Sequence, residues 1–126
     1  MEKEDVEEEM TNQVFDQDTA LSRVDNDMEL FKEIAALFFD DSAKLLGEIR
    51  EAIKLGDVRM LEKAAHTLKG AISNFFAKEA FDAALKMEAM AREKKLTDVD
   101  AAYSELERQV ERLVTALWTF SEEVYA

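Results

Sequence analysis

The sequence predicts an all-α protein, an antiparallel up-down four-helix bundle with a short extra N-terminal helix. Three observations carry that expectation. Proline is absent and glycine occurs only at 47, 56 and 70 of 126 residues, so almost no backbone position resists a helix. Apolar residues recur at threes and fours through four long stretches, each of which therefore has one face to bury. The connections between those stretches are short, and short connections make successive helices lie side by side and antiparallel.

Residues 1–13 hold many like charges and little to bury. They are expected to form a disordered leader, a solvated tail or else an acidic recognition arm. The bundle domain is expected to occupy residues 14–126. Within it, Val14, Phe15, Leu21 and Val24 suggest a short helix over 14–24, entered near Asp16 or Asp18 as N-cap. Such a helix is too short to stand alone and should pack across the end of a larger body.

A long helix follows over 26–55, starting near Asn26 or Asp27. Leu30, Phe31, Ile34, Leu37, Phe38, Leu45, Ile49 and Ile53 mark its buried stripe. Phe39 and Leu46 lie about 80–100° off that stripe. They read as flanking residues covered by the N-terminal helix, or as a patch that docks a partner. Gly47 weakens the helix by about 1 kcal/mol relative to Ala without ending the pattern.

Leu55-Gly56-Asp57 is the clearest boundary, with Gly56 suited to a left-handed C-cap and Asp57 to capping the next helix. That next helix is expected over 58–76 and breaks weakly near Ala77-Lys78. Another carries Phe81, Ala84, Leu85, Met87 and Ala91 to about residue 95. Thr97-Asp98-Val99-Asp100 resembles a capping box with Asp in place of Glu. The last helix should run from there to about residue 123, burying Val99, Ala102, Leu106, Val110, Leu113, Leu117 and Phe120.

Composition excludes several chemistries. The chain has no cysteine, hence no disulfide, thiol nucleophile or thiolate metal site, which suits a reducing cytoplasm. With 29 acidic against 16 basic residues the net charge is -13, which repels nucleic-acid backbones and anionic membranes. No apolar run approaches the roughly 20 residues that span a bilayer, and the first residues are acidic where a signal peptide is basic. No glycine-rich loop is present to hold a nucleotide, and no cofactor is expected. The protein is expected to be a cytoplasmic monomer.

One stretch stands apart: Ala64-Ala65-His66-Thr67-Leu68-Lys69-Gly70-Ala71-Ile72-Ser73-Asn74, which carries the only histidine. With His66 at 0° and about 100° per residue, Leu61, Ala64, Leu68, Ile72 and Phe75 fall between about 160° and 240°. The apolar stripe thus faces away from the imidazole. Lys69, Gly70 and Ser73 fall within about 60° of it, all expected to be exposed. Gly70 is the unusual member, because the helix continues past it and it is no C-cap; it leaves a gap beside the ring.

An ordinary surface histidine would also fit this periodicity. A lone His with a nearby Lys is no metal site, since coordination needs three or more convergent ligands. It also lacks the acid and nucleophile of a hydrolytic triad. What it can do is accept a phosphoryl group on a ring nitrogen, with the lysine one turn away offsetting the incoming charge. Glu62 is the nearest acid on this face and reads as a solvated charge.

His66-Thr67-Leu68-Lys69-Gly70, preceded by two alanines and followed by Asn74, resembles the signature of histidine-containing phosphotransfer (HPt) domains of multistep phosphorelays. The resemblance extends over about residues 15–120, including Phe15-Asp16-Gln17-Asp18-Thr19-Ala20-Leu21, the Gly56-Asp57 turn and the region from Leu85 to Glu88. It implies that His66 is phosphorylated, that Lys69 stabilises the phosphoryl group and that Gly70 leaves room for the partner. Glu88 falls where the family can have a polar residue approaching the ring, or is an ordinary surface acid. Ser73 is a possible further member of the site. The chain departs from the family pattern at Phe76 and Asn26, both frequent glycine positions. The implied partner is a receiver domain of a response regulator or hybrid histidine kinase, which would supply Mg²⁺ and the aspartate pocket. Two other readings stand beside this one: the phosphoacceptor domain of a chemotaxis-type kinase, and an acidic helical adaptor that docks through Phe39, Leu46 or the acidic tail, with His66 incidental.

Overall fold

The computed structural model describes residues 14–125, with side chains through 122, and the leader expected over residues 1–13 lies outside the described residues. Among the described residues five helices follow in order: α1 (Gln17–Ser22), α2 (Met28–Leu55), α3 (Val58–Ser73), α4 (Lys78–Arg92) and α5 (Val99–Tyr125). Helix α2 packs on α3, α3 on α4 and α4 on α5, and α5 closes the bundle against α2. The fold is the expected four-helix bundle with a short helix before it.

Aspartates start the first three helices by the same chemistry. The carboxylates of Asp16, Asp27 and Asp57 accept hydrogen bonds from the backbone N–H groups of Thr19, Leu30 and Met60 at 3.1, 3.1 and 3.0 Å. Each satisfies a donor that the first helical turn leaves free. Gly56 ends α2 at φ 67°, a left-handed conformation that only glycine adopts without strain, so α2 and α3 form a tight hairpin.

Helix α1 lies across one end of the bundle. Phe15, just before it, is buried against Phe31 and Phe120, with ring centroids 6.3 and 5.7 Å away. Phe31 also meets Phe75 edge-on at 6.0 Å, and Phe75 meets Phe38 at 5.2 Å. Interlocked aromatic rings of this kind add directional contacts to their area burial, which fixes where α1 sits.

The buried residues of α2 are Phe31, Ala35, Phe38, Ser42, Ile49 and Ala52. Leu30 and Leu37, assigned to the stripe by their spacing, are instead exposed, and Ile34, Leu45 and Ile53 are half-buried. Leu30 and Leu37 each precede a core residue by one position, about 100° round the helix, outside the arc that a bundle covers. Leu85 on α4 is exposed for the same reason, one residue past buried Ala84.

Two helices end earlier than their patterns suggest: α3 at Ser73 and α4 at Arg92. Phe76 and Lys94 follow them at φ 55° and 57°, and Asn26 ends the α1–α2 turn at φ 60°. Asn26 and Phe76 are the two positions named above as departures from the pattern the sequence resembles. The left-handed turns are kept, and the substitution is mild for Asn, whereas a bulky side chain in that region costs about 1–2 kcal/mol. Helix α5 begins at Val99, two residues beyond Thr97.

Candidate functional site

The histidine is held at the seam between α3 and α4. Burial of Leu61, Ala64, Ala65, Leu68 and Ile72 fixes the rotation of α3, leaving the His66 side chain 67% exposed. Across the seam, α4 buries Ala80, Ala84, Met87, Glu88 and Ala91. Glu88 therefore occupies a core position of its helix, only 2% exposed, and it is there that the site is built.

The Glu88 carboxylate receives three partners. His66 Nδ1 lies 2.6 Å from Oε2, Lys69 Nζ donates to Oε1 at 2.7 Å, and Arg92 donates to Oε2 at 3.3 Å. The Lys69 hydrogen bond, opposed by burial and helped by that of His66, holds the Glu88 pKa below its ordinary value. An ionised carboxylate can only accept, so Nδ1 carries the hydrogen and the Nε2 lone pair is left for chemistry.

Lys69 is less exposed than its helical phase suggests, at 20%. Its stem is covered by the seam, and its ammonium sits 5.9 Å above the Phe81 ring. Gly70 borders the ring on open space: a Cβ built there meets nothing within 4 Å of this chain. The Ser73 hydroxyl donates back to the Gly70 carbonyl and is turned along its own helix.

Glu62, read from sequence as a solvated charge, is half-buried and pairs with Arg92 at 3.5 Å. Arg92 thus ties Glu62 on α3 to Glu88 on α4, a role that sequence reasoning missed. The signal was present as an i, i+4 Glu88–Arg92 pair on one helix face. Phe39 and Leu46 are not brought to this seam. Both are half-buried on the side of α2 that faces α5, where the Phe39 ring is 6.4 Å from Trp118 and the Leu46 carbonyl accepts from Tyr103. Flanking cover for Phe39 comes from α5, where α1 had been expected to supply it.

Among the described residues no group of three or more His, Asp or Glu side chains could hold a metal ion. Among the described residues no helix is long and apolar enough to cross a membrane.

The bundle thus displays one histidine from mid-helix, backed by a buried carboxylate and flanked by lysine and open space. The chain belongs to the Hpt domain family, whose model matches residues 33–116. Its fold is similar to the crystal structure of histidine-containing phosphotransfer protein B (HptB) from Pseudomonas aeruginosa PAO1, with a TM-score of 0.81 and 22% identity. That similarity covers 87% of this chain and 96% of HptB. No curated protein matches the chain significantly.

Proposed function

We propose that this protein is a cytoplasmic, monomeric phosphorelay intermediate. It takes a phosphoryl group onto His66 from an aspartate of one receiver domain and passes it to an aspartate of another. The observation that carries this reading is the hydrogen bond of His66 Nδ1 to buried Glu88, which directs the free Nε2 lone pair of an exposed ring outward. In the forward step Nε2 attacks the phosphorus of the partner's aspartyl phosphate. The N–P bond forms as the P–O bond to the aspartate breaks, and the carboxylate leaves with that electron pair. The proton on Nδ1 stays in place, and Glu88 balances the positive charge that the ring acquires. Transfer to the second receiver runs the same step in reverse. Lys69, next to the ring and already ammonium-bearing, can turn from Glu88 toward the arriving phosphoryl oxygens. Gly70 leaves an open approach on that side.

Mg²⁺ and the aspartate pocket belong to the receiver on this reading, and the chain contributes no nucleotide site or independent catalytic centre. Incubation with phosphorylated receiver domains tests it. Wild type should gain acid-labile, base-stable label and His66→Gln none. Label acquired from ATP and a separate kinase domain, with no receiver present, would instead assign the protein to the chemotaxis-type class. No label from either source would leave an adaptor that docks through surfaces such as Phe39 and Leu46.

A further inference from the structure

The three donors on the buried Glu88 carboxylate divide its two oxygens unequally. Oε1 takes Lys69 Nζ at 2.7 Å, whereas Oε2 takes both His66 Nδ1 at 2.6 Å and Arg92 Nη2 at 3.3 Å. Lys69 is also the leading cause of the lowered Glu88 pKa. A Lys69 that turns to an arriving phosphoryl group therefore strips Oε1 of its donor while the carboxylate is only 2% exposed. Removing one partner from a buried charge is strongly unfavourable, and without a replacement that cost adds to the barrier for transfer.

Arg92 is placed to supply the replacement. It lies one turn beyond Glu88 on α4 and already touches the carboxylate, yet its side chain is 64% exposed, so the guanidinium can shift without disturbing the core. Glu62, across the seam on α3, lies 3.5 Å from Arg92 Nε and keeps the head group over the site. A planar guanidinium offers five N–H donors and matches a carboxylate through two parallel bonds, whereas an ammonium on a flexible stem is a mobile point charge. The two cations thus suit different tasks, Lys69 for a group that comes and goes and Arg92 for the carboxylate that stays.

We propose that Arg92 takes over Glu88 Oε1 as Lys69 leaves it, closing a two-oxygen contact that keeps His66 Nδ1 held while the phosphoryl group moves. The proposal rests on the relay reading above. Arg92 acts through Glu88 and is a positioning residue. It makes no bond to phosphorus, and the covalent step remains the attack of Nε2 already described.

The test is a double-mutant cycle on the full chain, read by urea denaturation. In wild type Lys69 still holds Oε1, so Arg92→Gln should lower the folding constant by less than about twofold, as for an exposed ion pair. In Lys69→Ala the takeover has already happened, and the same change should lower it by about tenfold. Adding Glu88→Gln to Lys69→Ala should abolish that tenfold effect, because a neutral amide needs no cation. Phosphoramidate, a small donor that needs no docking, labels His66 for the second measurement. On labelling of wild type, the Arg92 side-chain N–H signals should shift and sharpen; they decide the matter if the double variant does not fold. With the receiver that labels wild type fastest, Arg92→Gln should lower kcat about tenfold at unchanged KM. Additive stabilities, Arg92 signals indifferent to labelling, or an unchanged kcat would each overturn the takeover and leave the relay standing. Wild type that takes label from phosphoramidate but from no receiver overturns the relay reading, and the takeover with it.

Discussion

The Glu88 carboxylate is buried in the core of α4, yet its Oε2 lies 2.6 Å from Nδ1 of exposed His66. One carboxylate thus joins the interior of the bundle to an exposed imidazole. Burying a charge is unfavourable unless it is paired, and here Lys69 and Arg92 complete the pairing. The ring is therefore held by the fold itself, and its orientation is set before any partner arrives.

The Glu88 pairing makes stability depend on pH in a defined direction. Its folded pKa lies below the ordinary 4.5, chiefly through the Lys69 hydrogen bond, so the unfolded chain takes up the proton first as pH falls. The stability it contributes is complete above about pH 4.5 and is lost as pH drops through the folded value. Glu105 and Asp16, also held low by their hydrogen bonds, act in the same direction. Urea denaturation of wild type and Glu88→Gln between pH 3 and 7 isolates the Glu88 share. The gap between the two should narrow on acidification; a constant gap would contradict the assignment.

Lys69→Ala should affect both chemistry and fold. Transfer should slow by about 100-fold, as when one preorganised charge is removed from a reacting group. Because Lys69 is largely covered and paired with buried Glu88, stability should also fall by about 1–2 kcal/mol. Rapid-quench transfer and denaturation curves on one preparation measure both, and an unchanged stability would show the ion pair to be inconsequential.

Gly70→Ala should separate stability from function. A methyl group there meets nothing within this chain, and a helix-interior Gly→Ala change gains about 0.5–1 kcal/mol. On the relay reading proposed above, the same methyl would stand in the path of the partner, so transfer from a receiver should slow by about tenfold. A stabilised variant that transfers at the wild-type rate would show that the gap is not used.

Ser121→Ala should be neutral or stabilising by up to about 1 kcal/mol. Its hydroxyl is buried with no hydrogen-bond partner, a desolvation loss that alanine avoids. A loss above about 1 kcal/mol in urea would mean that the hydroxyl has an acceptor after all.

Much of the architecture was legible residue by residue. Asp27, Gly56 and Asp57 mark their boundaries through local chemistry alone, since a capping carboxylate or a left-handed turn involves only the next few residues. The outward phase of His66 followed from α3's own apolar spacing. Leu30, Leu37 and Leu85 were misjudged because hydrophobicity marks what could be buried, whereas the neighbouring helices decide how wide an arc is covered. Glu88 could have been singled out from Ala80, Ala84, Met87 and Ala91, whose spacing makes residue 88 a core position and its charge an anomaly.

The sequence by itself determined that the chain is helical, where most helices begin, and that one histidine faces outward beside a lysine and a gap. These are short-range properties, set by dihedral preference, capping and a 3.6-residue period. The tertiary structure alone decided that Glu88 meets His66 and Lys69 across 22 and 19 residues and that Arg92 bridges Glu62 to Glu88. Those contacts depend on the rotation and depth at which α3 packs on α4, a cooperative outcome of the whole core that no single helix encodes.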